Sequence, residues 1–305
     1  MKKLLIILSI IGFMFAEGKI SGVTYFDFSA TDTKSAFNFQ RQYFGYGGEV
    51  SDQVSYKILF DVGRSDTDTR LNTYLKKAQV NYLSSFGKFN FGLIGMNTYG
   101  VQESNWGYRF IEKSAIDKYG FSATADIGVG FSRSLIDNLN LSLLFINGEG
   151  FKKPQGDKYH KIAFNATYGE GNLNKNDGYN AGLVYTTEST DTDPTTMASV
   201  FGGFAGMGLR LGGEYNMLTK GSVESNIISV SANYTVRDNI DIFARYDMVD
   251  DNDNADKNGK NYLVTGIVLA CDGGISVAPN LRIVNYENTD KDSEMEYKVN
   301  FQFKF

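Results

Sequence analysis

The end of the chain alternates without a break. Tyr297, Val299, Phe301, Phe303 and Phe305 fall on one face, and Lys298, Asn300, Gln302 and Lys304 on the other. A period of two fits a strand with one face in an apolar medium and the other in water. The pattern recurs in segments of about ten residues, the length of a tilted strand that crosses a bilayer. Ile228, Val230, Ala232 and Tyr234 alternate with Ser229, Ser231, Asn233 and Thr235. Ile240, Ile242, Ala244, Tyr246 and Met248 alternate with Asp241, Phe243, Arg245 and Asp247. Further segments begin near residues 20, 37, 53, 73, 88, 121, 139, 161, 179, 196, 207, 261 and 280, which gives about sixteen strands in all.

A soluble sandwich alternates too, with its apolar face turned to a buried interior. Four features favour a transmembrane, antiparallel, up-and-down β-barrel. Aromatic residues gather near strand ends, as in Phe26 with Phe28 and Phe44 with Tyr46, as interfacial girdles do. The chain ends on a Phe within a strand. Connections after even strands are short, whereas those after odd strands are mostly longer and polar: 63–72, 98–120, 147–160, 188–195 and 250–260. The fourth feature is a repeated turn plan, an apolar residue, a spacer, Asp or Pro, Asn or Gln, then an apolar residue. It occurs at 50–54, 135–139, 236–240 and 277–281, always after an even strand. Closure of such a sheet leaves no unpaired backbone in hydrocarbon. A barrel of about sixteen strands leaves room for water in its lumen.

The first residues read as an export signal. Lys2 and Lys3 precede the apolar run Leu4 to Phe15, and Ala16 offers a small residue for cleavage. The reading is a signal peptide over 1–16 and an outer-membrane barrel over 17–305, because the apolar run is shorter than the roughly 20 residues that span a bilayer.

Composition narrows the chemistry. Cys271 is the only cysteine, which excludes a disulfide framework and a thiolate zinc site, and it is expected to be a small packed residue. His160 is the only histidine and has no serine partner by spacing, which argues against an enzymatic barrel. A net charge of −5 leaves no polybasic footprint for nucleic acid. The acidic stretch 250–256 lacks the Gly and Glu of a calcium loop and reads as a solvated anionic segment, so neither a metal nor a cofactor is expected.

The runs FNFQRQYFGYGGEVSDQVSYKILFDVG (37–63), YLKKAQVNYLSSFGKFNFGLIGMNTYGVQES (74–104) and RFIEKS (109–114) resemble the N-terminal half of the phosphate-selective porin O and P family, within the wider set of Gram-negative trimeric porins. The resemblance implies a sixteen-stranded, homotrimeric diffusion channel in the outer membrane, in contact with lipid and lipopolysaccharide and passing small hydrophilic solutes or ions. It does not imply phosphate selectivity, since no arginine ladder is evident.

With the polar faces turned inward, the lumen cations are Lys57, Lys77, Arg210, Arg245 and Arg282, and the anions Asp61, Asp126, Glu214, Asp241 and Asp247. The signs interleave, so no ring of one sign stands out, and the direction of Arg41 is ambiguous. Segment 98–120 is the longest loop and holds the only Trp, Trp106. By analogy with general porins it folds inward, placing Arg109, Glu112 and Lys113 at the constriction while Tyr108 and Phe110 pack on the wall. The function expected is passive transport without catalysis. The alternatives are an anion- or phosphate-selective channel, a blocked structural or adhesive barrel, and a soluble secreted β-protein.

Overall fold

The computed structural model describes residues 18–65 and 68–305, so the expected signal peptide lies outside the described residues. These residues form a closed barrel of sixteen antiparallel strands, each bonded to its neighbours in sequence. The first half comprises β1 (Lys19–Ala30), β2 (Ser35–Ser51), β3 (Val54–Ser65), β4 (Asp68–Ser84), β5 (Gly87–Gly95), β6 (Ala125–Ile136), β7 (Leu139–Ile146) and β8 (Lys161–Gly169). The second comprises β9 (Gly178–Glu188), β10 (Thr195–Gly206), β11 (Leu209–Lys220), β12 (Val223–Arg237), β13 (Ile240–Asp250), β14 (Lys260–Cys271), β15 (Ile275–Tyr286) and β16 (Glu294–Lys304).

The ring closes where β1 pairs with β16, Val23 opposite Lys304 and Ala30 opposite Tyr297. Gly22 and Phe305 exchange both backbone hydrogen bonds at 3.0 Å. Closure leaves no strand edge, the condition for placing backbone in hydrocarbon. The alternation sorts by face: Phe26, Phe60, Val230, Ile242 and Tyr297 are exposed on the outside, while Asp27, Asp61, Ser229, Arg245 and Asn300 are buried inside. Among the described residues no helix is long and apolar enough to cross a membrane.

Three expectations about the connections need correction. Within the expected loop 63–72, residues 63–65 and 68–72 are strand, because β3 continues to Ser65 and β4 begins at Asp68. The repeat at 277–281 is not a turn. It lies inside β15, and the chain reverses at Asp272–Gly274, where both glycines have positive φ. Pro279 is tolerated there because the β14–β15 register skips from Gly266 opposite Asn280 to Leu269 opposite Val277. The missing N–H of Pro279 therefore falls where the ladder is already interrupted. Finally, one connection after an even strand is long: residues 170–177 join β8 to β9.

Residues 96–124, between β5 and β6, fold into the lumen and carry α1 (Gly100–Trp106) and α2 (Ala115–Lys118). Gly107 ends α1 in the left-handed region at φ 81° and returns its N–H to the Glu103 carbonyl. A Cβ there would lie 2.2 Å from Arg210 Nη2, so both the conformation and the space call for glycine. The apolar core of the molecule is the seam between this loop and the wall. Trp106, Tyr108, Phe110 and Ile111 pack on Phe243, Tyr262, Val264, Val268 and Ala278. Ala115, Ile116 and Phe121 pack on Val184, Met197, Phe201, Leu218, Ile227 and Val249. A third cluster joins Ile94, Met96, Leu144, Ile146 and Ala163 beside Tyr99 of the loop, so most buried inward apolar residues lie where the loop packs.

Candidate functional site

The tip of the inward loop faces the wall made by β1, β2, β3, β15 and β16. Between them lies a space of about 440 Å³ lined by the basic side chains Arg41, Arg64, Arg109, Lys113, Arg282 and Lys298, against two acids, Asp27 and Glu112. The sequence had shown interleaved signs and no ring. The barrel instead brings cations from four strands and one loop together. Several of their acidic partners stand outside the lining: Asp61 lies 3.2 Å from Arg41, Glu103 and Asp117 lie 3.1 and 2.8 Å from Arg109, and Glu296 lies 3.2 Å from Lys298. The two acids within the lining also pair, Glu112 with Arg282 at 3.3 Å and Asp27 with Lys298 at 3.9 Å.

Two β-bulges on the β1–β4 wall turn basic residues inward, Arg41 to the space itself and Lys76 to a buried position outside its lining. Between β1 and β2 the register shifts after Tyr25, so Gln40 is extra and Arg41 lies opposite Tyr25, facing inward. Between β3 and β4 Leu59 pairs with Lys77 and Phe60 with Leu75, so Lys76 is the extra residue. Lys76 and Lys77 then share the lumen face. Lys76 is buried against Asp61 at 3.4 Å and donates to Tyr43 Oη at 3.1 Å. Strict alternation finds Lys77 but not Lys76, and leaves Arg41 undecided, because a bulge adds a residue without leaving a composition signal.

Glu112 anchors the tip. Its carboxylate accepts from Lys118 Nζ at 2.9 Å, Tyr262 Oη at 2.8 Å, Arg282 Nη1 at 3.3 Å and the Lys113 N–H at 3.0 Å. Burial alone would raise its pKa, but the cations of Lys118 and Arg282 hold it well below the usual carboxylate range. Burial brings Lys118 down to about 8, against the pull of Glu112 and Asp247. Glu103 is raised, chiefly by burial and despite Arg109. Arg109 keeps its charge because the acids beside it outweigh its own burial.

The other candidates occupy different places. Arg245 and Asp247 are buried beneath the loop at 2% and 0% exposure, bonded to each other at 2.8 Å through two nitrogens. Arg245 also donates to the Lys113 carbonyl, and Asp247 accepts from Ser229 and Tyr119. The pair therefore holds the loop and does not meet the solute space. Asp126 is buried at the start of β6, where it accepts from the N–H groups of Gly148 and Gly150 and ties down the next loop. Arg210 bridges the Asn174 side chain and the Trp106 carbonyl on the far side of the lumen. Lys57 and Lys77 lie inward on the β3–β4 wall, Lys57 near the short-turn end. Cys271, expected to be packed, is exposed, because β14 ends on it at the rim. His160 sits against the Phe145 ring. The acids of 250–256 bond to Lys260, to Asn226 and to the loop's own backbone.

No family model and no curated protein matches the chain, so the resemblance to phosphate-selective porins is not supported at the level of that family. Solved structures do match. A loop-deletion form of OmpT, an outer membrane protein of Vibrio cholerae, superposes at TM-score 0.69 with 14% identity, over 95% of this chain and 99% of that one. OmpF of Salmonella typhi in complex with daunomycin gives 0.69 with 13% identity, over 95% and 98%. An anion-selective porin from Comamonas acidovorans gives 0.67 with 11% identity, over 95% and 100%. The fold is that of the outer-membrane porins.

Proposed function

We propose that the chain is an outer-membrane porin, a water-filled channel through which small hydrophilic solutes diffuse passively, with a preference for anions. The observation that carries this reading is the space between the inward loop and the wall, lined by six basic side chains and two acidic ones. An excess of fixed charge of one sign along the path lowers the barrier for counter-ions and raises it for ions of the same sign. Two acids, Asp27 and Glu112, share the lining with six cations, and the other acidic partners of those cations, Asp61, Glu103, Asp117 and Glu296, stand outside it, so a permeating solute meets an excess of cations.

The short turns after even strands belong in this reading to the periplasmic side, and the long loops to the outside. Residues 1–16 serve as the signal peptide. A homotrimer embedded in lipid and lipopolysaccharide is the working assembly, in keeping with a trimer form reported for one structural neighbour. Nothing in the proposal requires a metal, a cofactor or a catalysed reaction.

The test is the conductance of folded protein in a planar bilayer under a salt gradient. The expected result is discrete current steps with a reversal potential on the anion side. A reversal potential on the cation side would remove the anion preference, and folded protein without steps would favour a blocked barrel. Block of chloride current by added phosphate would narrow the preference to oxoanions.

A further inference from the structure

The long connection from β8 to β9 enters the lumen from the end opposite to the loop of 96–124, and the two meet midway. Ser104 Oγ of α1 donates to Asn172 Oδ1 at 2.9 Å and accepts from the Asn174 N–H at 3.3 Å. Asn105 of α1 and Asn180 of β9 exchange side-chain amide hydrogen bonds at 2.9 Å each way, and Asn180 also donates to the Glu170 carbonyl at 2.7 Å. Arg210 joins the two segments through Asn174 Oδ1 at 2.9 Å and the Trp106 carbonyl at 3.3 Å.

Leu173 is the apolar residue of this Asn-rich segment, and it is only 3% exposed. It lies against Gly203, where a Cβ would stand 2.8 Å from Leu173 Cδ1 and 2.6 Å from Asn105 Nδ2. Gly203 therefore gives up its side chain to both segments. The segment holds its own shape through Glu170 Oε1, which accepts from the Asn172 N–H, and through the Asn172 carbonyl, which accepts from Lys175 and Asn176. Beneath the meeting point a recess of about 180 Å³ remains, lined in part by Tyr108, Leu173, Arg210 and Asp241.

A helix of seven residues has little stability of its own and depends on what it packs against. Here α1 has the wall on one side and the 170–177 segment beneath it. We propose that residues 170–177 are a strut: a second positioning element that fixes α1 from the short-turn end and seals the β9–β13 side of the lumen. Solute traffic is thereby confined to the basic side lined by β1–β3, β15 and β16. Asn172 and Leu173 are positioning residues and do not touch the solute. The docking of the strut stands on contacts alone, while its effect on traffic rests on the channel reading.

Two experiments separate these parts. In a Cys271→Ser background, Ser104→Cys with Asn172→Cys is treated in membranes with the shortest bifunctional thiosulfonate reagent. Intramolecular cross-linking, read as a mobility shift of the denatured chain, is expected for this pair and not for Ser104→Cys with Lys175→Cys. Absence of the cross-link would overturn the strut whether or not the protein conducts. In bilayers, Leu173→Asp that retains heat-modifiable folding is expected to raise open-channel noise and conductance by roughly twofold and to weaken the anion preference, since water reaches the sealed side. Folded Leu173→Asp with wild-type conductance, noise and reversal potential would equally overturn it. Wild-type protein that gives no steps while the cross-link forms would instead remove the channel reading and leave the strut.

Discussion

The two sides of the lumen are built on different rules. On the β9–β15 side, inward positions carry Val184, Phe201, Phe243 and Val264, or small residues such as Gly203 and Gly212, and loop side chains cover them as in a soluble protein core. Its ions are paired and buried, with Arg245 locked onto Asp247. On the opposite side Arg41 and Arg64 from the wall, with Arg282 and Lys298 from β15 and β16 and Arg109 and Lys113 from the loop, border water-sized space, while Lys76 is buried against Asp61 and the Phe151 ring. One sheet thus supplies both a packing surface and a channel wall, and the difference lies in its inward residues, since the backbone is continuous around the ring. Charge on the packed side should therefore matter to stability, and charge on the open side to permeation.

The largest effect should come from breaking the buried pair. Asp247→Ala leaves the Arg245 guanidinium without its partner and removes acceptors from Ser229 and Tyr119, at a cost of ~3–5 kcal/mol. A thermal unfolding curve in detergent measures it, and an unchanged midpoint would mean that the packed side does not carry stability. Lys113→Glu is the converse. Lys113 has a side chain 45% exposed, so stability should stay within about 0.5 kcal/mol. A unit charge contributes about 1 kcal/mol at 4 Å in water, so reversing one should lower the anion-to-cation permeability ratio on the order of tenfold. A large stability loss with no shift in reversal potential would erase the contrast between the sides.

Tyr108→Phe removes the hydroxyl that donates to Asp241 at 2.7 Å, while Thr235 still donates to the same carboxylate, so about 1 kcal/mol should be lost. A subtler probe is pH. Lys118, brought down to about 8 by burial, faces Glu112, Tyr119, Asp247, Arg245 and Tyr262. Above that pH the folded protein releases a proton that the unfolded chain keeps up to the ordinary lysine range, so deprotonation favours folding between those two values. Raising pH from 7 to 9 should leave the melting point level or slightly higher. It should modestly reduce anion preference, because the positive charge beside Glu112 disappears. Lys118→Met should abolish that pH dependence.

Much of the barrel can be read from the residues alone, because a strand with lipid on one side and water on the other writes its period into the chain. Starts expected near 53, 88, 139, 161, 179 and 196 fall at Val54, Gly87, Leu139, Lys161, Gly178 and Thr195. The misses have physical causes. β4 and β12 begin at Asp68 and Val223, earlier than their apolar alternation, because a strand that projects beyond the lipid band can be polar on both faces. At 277–281 turn chemistry was present without a turn, since an interrupted ladder also accepts proline. The inward loop was marked by its length and its Trp, and Tyr108 and Phe110 do pack on the wall. What alternation could not supply was convergence. Arg41 and Lys76 face the lumen through bulges, Arg282 and Lys298 arrive from the far end of the sequence, and Asn172 and Leu173 sit in what reads as an ordinary polar connection. In that stretch the lone Leu among asparagines was the available signal.

Cys271 stands exposed at the rim of the barrel, beside the short turn at Asp272–Gly274, and it is the only thiol in the chain. That makes it a natural reporter of sidedness. A membrane-impermeant maleimide should leave it unlabelled on intact cells and label it once the envelope is opened, so the native protein can disclose which way round it sits without any engineered tag.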